Sequence, residues 1–233
     1  MSPNTLPREA FPDIFPPRRI HILGAGRFGR MAAERLKDRF PEAFIKITDE
    51  DAGKIAKTKL EVGIAGEVEE SISAITKAPL PPDLWLIPAV PIHVGFEWVL
   101  RELSRDTPAK RLSVPESADA RVPNPIRSQA GTLYASFATF ICPDYCKEPD
   151  RTCTKTGKTR QGNLFQVFGG IELPQFDTLV LRSWQLAPGV GGYPARALRE
   201  MLSTISQKPG KYIIGTSCRC HGVLDALEWG PGC

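Results

Sequence analysis

The spacing of apolar residues predicts a strand followed by a helix near the start of the chain. Ile20, Ile22 and Leu23 form a short aliphatic run that is typical of a buried strand. Behind it, apolar residues recur every four positions from Phe28 to Phe40, with charged residues between them. That period puts one apolar face along a helix and leaves the opposite face in water.

The same alternation continues to about residue 114. It predicts further strands at 43–48, 60–65, 84–90 and 111–114, and helices at 52–59, 67–76 and 92–103. The run at 84–90 is almost entirely apolar, which suits a parallel strand covered on both faces. Alternating strands and helices predict the α/β class, with a doubly wound, mostly parallel, Rossmann-like sheet.

A glycine motif, G-x-G-x-x-G, separates the first strand from the first helix. Gly24 permits a tight turn, Gly26 lets the backbone approach a pyrophosphate, and Gly29 lets the helix lie close to the sheet. The helix then offers its first N–H groups and the positive end of its dipole to phosphates. The motif predicts a dinucleotide-binding turn.

An acidic residue follows at the distance that such a site requires. Asp49 ends the second predicted strand, twenty residues beyond Gly29, where a carboxylate binds the adenosine ribose hydroxyls. A carboxylate there repels a 2′-phosphate and favours NAD over NADP, although Lys46 and Lys54 temper that preference. The alternative is that the acidic run at 49–51 only caps the next helix.

Composition and charge exclude several classes of protein. The 233 residues are 42% hydrophobic, enough for an ordinary core, and the net charge of +4 comes from well-mixed charges, which does not indicate nucleic-acid binding. No apolar run reaches the roughly 20 residues of a membrane span, and the beginning of the chain lacks the apolar core of a secretory signal. We expect a cytoplasmic protein whose proline-rich residues 1–18 form an extended or disordered arm.

Prolines at 115, 123 and 125 mark a predicted domain boundary. We expect a dinucleotide-binding domain at 19–125 and a smaller, cysteine-rich α+β module at 126–233. In that module, strands are predicted at 165–168, 178–184 and 211–216, and a helix at 195–205. The glycine-rich segment 187–194 is expected to be a loop, either able to hold an anion or a plain turn before the helix.

The stretch Ile22–Arg30, with Ala33, Glu34 and Leu36, resembles the nucleotide-binding domains of the TrkA-N type, which regulate potassium transport, and the wider NAD(P)-binding Rossmann superfamily. The resemblance covers residues 18–50 in detail and 18–115 in outline. It implies bound NAD(H) or a related adenine nucleotide. The residues that match the binding motif are Gly24, Gly26, Arg27, Phe28, Gly29 and Asp49. The cysteine-rich half departs from the TrkA-N pattern and argues against a potassium-regulatory role.

Five of the six cysteines fall in two clusters. The first has the spacing C-x3-C-x6-C and the second is C-x-C-H: Cys142, Cys146 and Cys153, then Cys218, Cys220 and His221. Thiolates are soft ligands that suit zinc or iron–sulfur clusters, and Cys142 and Cys146 could face one centre from a single helical turn. The pattern predicts a metal site, zinc or [4Fe–4S], that the second cluster completes.

Two alternatives to a metal site stay open. The first is structural disulfides, which need an oxidising compartment; the sequence shows no export signal that would indicate one. The second is that the cysteines are buried and bind no metal. Cys233 is expected to be incidental. The basic residues of the first cysteine loop are expected either to offset thiolate charge or to form a solvated surface: Lys147, Arg151, Lys155, Lys158 and Arg160.

The candidate catalytic residues are two histidines and one carboxylate. His93 and Glu97 share a helix face just past the predicted strand at 84–90, where open α/β sheets bind ligands. They could act as a proton donor and its orienting carboxylate, or form an exposed helical pair. His221 could be a catalyst as well as a metal ligand, whereas His21, inside the first strand, is expected to be a packed core residue.

Two functions from different classes fit these features. The first is an NAD-dependent oxidoreductase that acts on a small-molecule substrate and carries a cysteine-ligated metal centre. The second is a non-catalytic nucleotide or redox sensor that regulates a protein partner and forms a stable homo-oligomer.

Overall fold

The computed structural model describes residues 16–67, 71–73 and 81–231. In chain order its elements are β1 (Arg19–Leu23), α1 (Arg27–Arg39), β2 (Phe44–Asp49), α2 (Ala52–Ala56), β3 (Val62–Ala65), β4 (Leu84–Pro88), α3 (Val94–Leu103), β5 (Ala109–Leu112), a 3₁₀ helix (Glu116–Arg121), β6 (Ile126–Arg127), β7 (Leu133–Ser136), α4 (Leu164–Gly169), β8 (Phe176–Arg182), β9 (Trp184–Ala187), β10 (Val190–Pro194), α5 (Ala195–Ser206), β11 (Gly210–Ser217) and β12 (His221–Trp229).

The chain divides into two compact units. The first comprises the chain up to Pro91 together with Trp184–Ala197, and the second comprises Ile92–Ser183 and the chain from Leu198 onward. The boundary expected near residue 125 lies inside the second unit. Of the expected arm at 1–18, residues 1–15 lie outside the described residues, as does most of the helix expected at 67–76, of which residues 71–73 are helical.

The first unit is built on a six-stranded sheet in the order β3-β2-β1-β4-β10-β9. Strands β3, β2, β1 and β4 run parallel, whereas β10 is antiparallel to β4 and β9 is antiparallel to β10. Its core joins the aliphatic residues of β1 and β2 to α1 and to β9, where Trp184 and Leu186 are buried. The sheet is therefore mixed.

The second unit contains another six-stranded sheet, in the order β6-β7-β12-β11-β8, with β5 paired to another part of β12. Among its described strand pairs, only β8–β11 is parallel, while β12 pairs antiparallel with β5, β7 and β11. Its core packs α4 and the 3₁₀ helix against the sheet through residues such as Phe168, Ala118 and Ile213.

The prediction of a doubly wound, mostly parallel, Rossmann-like sheet with a smaller second module is wrong, because both sheets mix parallel and antiparallel strands. The strand expected at 111–114 was predicted to be the fifth strand of the parallel sheet. It is β5 (Ala109–Leu112), and it pairs antiparallel with β12 in the other sheet. The place beside β4 is taken instead by β10, from far along the chain.

Two further local predictions fail. Residues 165–168, expected as a strand, lie in helix α4, because four residues that are mostly apolar do not distinguish the two periods. The segment 187–194, expected as a loop, is the β9–β10 hairpin turn and strand β10. A Cβ at Gly192 would lie 2.7 Å from the carbonyl oxygen of Leu86, so glycine is needed where β10 packs beside β4.

No helix within the described ranges combines the length and the apolar composition needed to cross a membrane.

Candidate functional site

Two of the three motif glycines are required by the turn itself. Gly24 has a φ of +103°, and a Cβ there would lie 2.8 Å from the carbonyl oxygen of Ala89. A Cβ on Gly29 would lie 1.9 Å from the carbonyl oxygen of Gly24, so the first turn of α1 sits directly against the glycine turn. Larger residues at either position would push this backbone apart.

Gly26 differs from its two neighbours in the motif. Its φ of −65° is open to any residue, and no described atom lies within 4 Å of a Cβ built on it. Gly26 is the N-cap of α1 and makes no side-chain cap. Phe28, two residues further on and expected to pack on the core, is 55% exposed, with the Arg27 guanidinium over its ring. The space beside Gly26 is therefore open.

Asp49, at the end of β2, is tied to the glycine turn. Its Oδ2 accepts a hydrogen bond from the Ala25 N–H at 2.7 Å and its Oδ1 accepts one from the Asp51 N–H at 2.9 Å. Burial acts to raise the pKa of Asp49, but these two backbone donors and the Lys54 ammonium outweigh it and hold the pKa below its ordinary value. Capping of α2 falls to Asp51, whose carboxylate accepts from Gly53 N–H at 2.8 Å.

The parallel part of the first sheet explains why the turn and the carboxylate meet. β1 pairs in parallel with β2 and with β4, so the carboxyl ends of these strands share one edge. At that edge Gly24 N–H donates to Thr48 at 2.7 Å, and Ala89 N–H donates to Leu23 at 2.8 Å. Ligands of open sheets bind at this kind of edge.

The second unit brings residues of the two cysteine clusters together. Cys218–His221 form the tight turn between β11 and β12, in which Cys218 N–H donates to the His221 carbonyl at 3.0 Å. His221 Nε2 lies 3.3 Å from the Sγ of Cys142, and its Nδ1 lies 3.8 Å from the Sγ of Cys218. Burial raises the pKa of Cys142, and the nearby thiols of Cys146 and Cys153 raise it further.

Backbone N–H groups point at three of the sulfur atoms. Glu148 N–H donates to Cys146 at 3.4 Å, and the N–H groups of Cys220 and His221 each donate to Cys218 at 3.3 Å. At Cys153 the Thr156 hydroxyl and the N–H groups of Thr156 and Lys155 contact the sulfur and lower its pKa. Donors of this kind stabilise thiolates in metal sites.

Salt bridges and hydrogen bonds hold the cysteine loop against the β11–β12 turn. The Glu148 carboxylate accepts a hydrogen bond from the Arg219 N–H, and the Arg219 guanidinium pairs with Asp150 at 2.6 Å. Arg160 donates to the Sγ of Cys220 at 3.1 Å and to the carbonyls of residues 149 and 150. Burial raises the pKa of Cys220 to about 11, against the opposing effect of Arg160.

None of the five described cysteines is in a disulfide. Among the described residues, no three Cys, His, Asp or Glu side chains already lie at the mutual distances of ligands to one ion.

His93 and Glu97 do not contact each other as a proton donor and its carboxylate would. His93 Nδ1 lies 2.9 Å from Asp225 on β12 and its Nε2 lies 2.9 Å from the Thr216 hydroxyl. Glu97 instead pairs with Arg111, which also binds Asp225 at 2.8 Å. Both ring nitrogens of His93 are thus engaged, and the whole group forms one polar network in the second unit.

Three residues with central contacts in these sites, Asp225, Glu148 and Arg219, were not predicted from the sequence. Asp225 receives hydrogen bonds from Thr132 and Arg111 as well as contacting His93. Its signal was present, because a lone carboxylate between Leu224 and Ala226 in an apolar run needs a buried partner. Glu148 and Arg219 gave no such signal, since both lie among other polar residues.

Together the fold and the sites define a protein with two mixed-sheet units, a glycine turn in one and a cysteine cluster in the other. The chain belongs to the family described as "Uncharacterized protein, C-terminal domain", whose model matches residues 95–230. That range contains both cysteine clusters and not the glycine turn. A relative from Archaeoglobus fulgidus, described as "Uncharacterized protein", is 24% identical over 219 residues, which are 89% of this chain and 98% of the relative. No solved structure matches the chain.

Proposed function

We propose that the protein binds an adenine dinucleotide, NAD(H) in preference to NADP(H), at the glycine turn and Asp49. The observation that carries the proposal is the contrast between the three glycines. A side chain at Gly24 or Gly29 would clash with the protein's own backbone, whereas a side chain at Gly26 would meet no described atom. A glycine at position 26 is therefore explained by a ligand that approaches the backbone there. The pyrophosphate would lie against the N-terminus of α1.

The carboxylate of Asp49 supports the preference for NAD(H). It stays ionised because two backbone N–H groups and Lys54 favour the charged form, and each of its oxygens retains a lone pair for a ribose hydroxyl. The same negative charge would repel a 2′-phosphate. Lys54, 3.8 Å from Asp49, reduces that repulsion without removing it.

We infer that the bound nucleotide serves an oxidoreductase with a small-molecule substrate. The alternative, a nucleotide sensor that regulates a protein partner, is favoured by one observation, namely that both ring nitrogens of His93 are already engaged. Steady-state and stopped-flow assays of NADH oxidation with panels of carbonyl substrates separate the two. Turnover supports the enzyme, whereas tight binding without turnover and a nucleotide-dependent change in oligomeric state support the sensor.

The binding proposal is tested with Gly26→Ala. Because the added methyl group meets no described atom, we expect the variant to fold normally and to bind NADH at least about tenfold more weakly, a loss of about 1.4 kcal/mol. NADH fluorescence titration measures the affinity, and circular dichroism checks the fold. Gly169→Ala is the matched control, since a Cβ there is equally unobstructed. Unchanged NADH affinity in Gly26→Ala, or no binding by the unmodified protein, would reject the proposal.

A further inference from the structure

We propose that the second unit binds one zinc ion through the thiolates of Cys142, Cys146 and Cys153 and the Nε2 atom of His221. This site is independent of the nucleotide proposal, because all four residues belong to the second unit. It selects four ligands from six candidates and assigns the remaining two, Cys218 and Cys220, to supporting positions.

The pair formed by Cys142 and His221 is already spaced as two zinc ligands are. Zn–S and Zn–N bonds of about 2.3 and 2.0 Å at a tetrahedral angle put the two ligand atoms about 3.5 Å apart. The observed separation between Cys142 Sγ and His221 Nε2 is 3.3 Å. The two residues lie 79 positions apart in the chain, and their contact joins the two clusters.

The orientation of His221 also fits a metal ligand. A ligating imidazole almost always donates its second N–H to a nearby acceptor, which fixes the ring. Here Nδ1 faces the Sγ of Cys218 at 3.8 Å, while Nε2 faces Cys142. Cys218 is therefore placed to orient the ring through Nδ1, and it is not placed to bind the same ion as Nε2.

Cys146 and Cys153 supply the other two thiolates from the same loop as Cys142. Both sulfurs accept backbone N–H groups from residues two or three positions later, as in metal-binding knuckles. Gly157, with a φ of +68°, closes the hairpin that begins at Cys153, where its N–H donates to the Cys153 carbonyl. Zinc binding would replace the Thr154 hydroxyl, now 3.3 Å from the Sγ of Cys146, as the partner of that sulfur.

The two remaining cysteines have other partners. Cys220 Sγ accepts a hydrogen bond from the Arg160 guanidinium at 3.1 Å. Cys218 Sγ accepts the backbone N–H groups of Cys220 and His221 at 3.3 Å and faces Nδ1 of the His221 ring, the side away from Cys142. Three thiolates with one imidazole form a common zinc set, whereas a [4Fe–4S] cluster takes four thiolates.

The experiment measures metal content and cobalt spectra. Protein purified without chelator is analysed for zinc, iron and sulfide, and metal-free protein is titrated with Co²⁺. We expect one zinc per chain, and a tetrahedral cobalt spectrum whose sulfur-to-cobalt charge-transfer band corresponds to three thiolates. Cys142→Ser, Cys146→Ser, Cys153→Ser and His221→Asn are each expected to lower zinc affinity at least about a hundredfold, because loss of a residue that only supports a ligand already costs about 10–100-fold.

Cys220→Ser is the matched control and should keep stoichiometric zinc, while Cys218→Ser should lower affinity less than any ligand variant. Iron with sulfide in place of zinc, a cobalt spectrum with four thiolates, or no metal uptake by the unmodified protein would each overturn the proposal. The cobalt titration of unmodified protein decides the question even if a variant fails to fold. NADH affinity measured on the same samples tests the nucleotide proposal separately.

Discussion

Two buried polar residues show how individual side chains constrain this fold. His21, in the middle of β1, is fully buried, as predicted, and its Nε2 lies 2.8 Å from the Thr48 hydroxyl. Asp225, in β12, is also buried but contacts three polar partners, His93, Arg111 and Thr132. His21 has one hydrogen-bond partner among the described residues, whereas both carboxylate oxygens of Asp225 have partners. The role of His21 is therefore tested by pH and that of Asp225 by mutation.

His21 should make the protein sensitive to acid. Burial, assisted by the charge of Lys46, lowers its pKa from 6.5 to about 3. The unfolded state takes up a proton below pH 6.5 while the folded state does not, so this contribution to stability is complete above pH 6.5 and is lost as pH falls towards 3. The slope reaches about 1.4 kcal/mol per pH unit. Denaturant unfolding at several pH values should show a flatter dependence in His21→Gln, and identical slopes would contradict this assignment.

Mutation of Asp225 should destabilise the second unit strongly. Its side chain is 2% exposed, and removing it leaves Arg111 and His93 without their buried acceptor. Asp225→Ala is expected to lose about 3–5 kcal/mol of unfolding free energy. Glu97→Gln, at a position 30% exposed in the same network, should lose about 1 kcal/mol or less. Equal losses in guanidinium unfolding would show that the network does not depend on Asp225.

At the scale of elements, the periodicity of apolar residues predicted the strands and helices that pack against elements close to them in the chain. The strand at β1, the helix α1 and the strand β2 are confirmed, because each has a pattern long enough to establish its period. Strand β10 was missed because Gly191, Gly192 and Pro194 are residues that strands disfavour. What makes it a strand is its pairing with β4, which local sequence does not reveal. The cysteine clusters were visible for the opposite reason, since residue type alone identified them.

The junction of β1 and α1 gives a prediction about packing. Gly29→Ala places a methyl group against the Gly24 carbonyl and should destabilise the protein by about 1–3 kcal/mol or more. Gly26→Ala, three residues earlier, should change stability by less than about 1 kcal/mol. Thermal unfolding of both variants without ligand tests the contrast. Equal stability of the two variants would mean that the α1 N-terminus is not held tightly against the turn.

At the scale of the whole molecule, the first unit is discontinuous in sequence. It is complete only with residues 184–197, which follow nearly a hundred residues of the second unit. The domain expected at 19–125 lacks that segment, because composition and turn residues mark where a chain leaves a unit but not where it comes back. Trp184, Leu186 and Val190 all belong to the core shared with β1 and α1. The boundary of the unit is thus decided by long-range pairing, not by the prolines near residue 125.

This connectivity predicts which fragments fold. Residues 1–125 should aggregate or remain without fixed tertiary structure, because the β4 edge is unpaired and the core lacks β9. Residues 1–91 joined to 184–197 should fold cooperatively through a Gly/Ser linker of about 12 residues, which reaches about 40 Å and can run back along the sheet to the start of β9. Thermal denaturation followed by circular dichroism and amide dispersion in NMR spectra distinguish these outcomes. In the joined fragment, Leu186→Ser removes a fully buried side chain and should abolish folding. Cooperative unfolding of residues 1–125 alone would show that β9 and β10 are dispensable to the first unit.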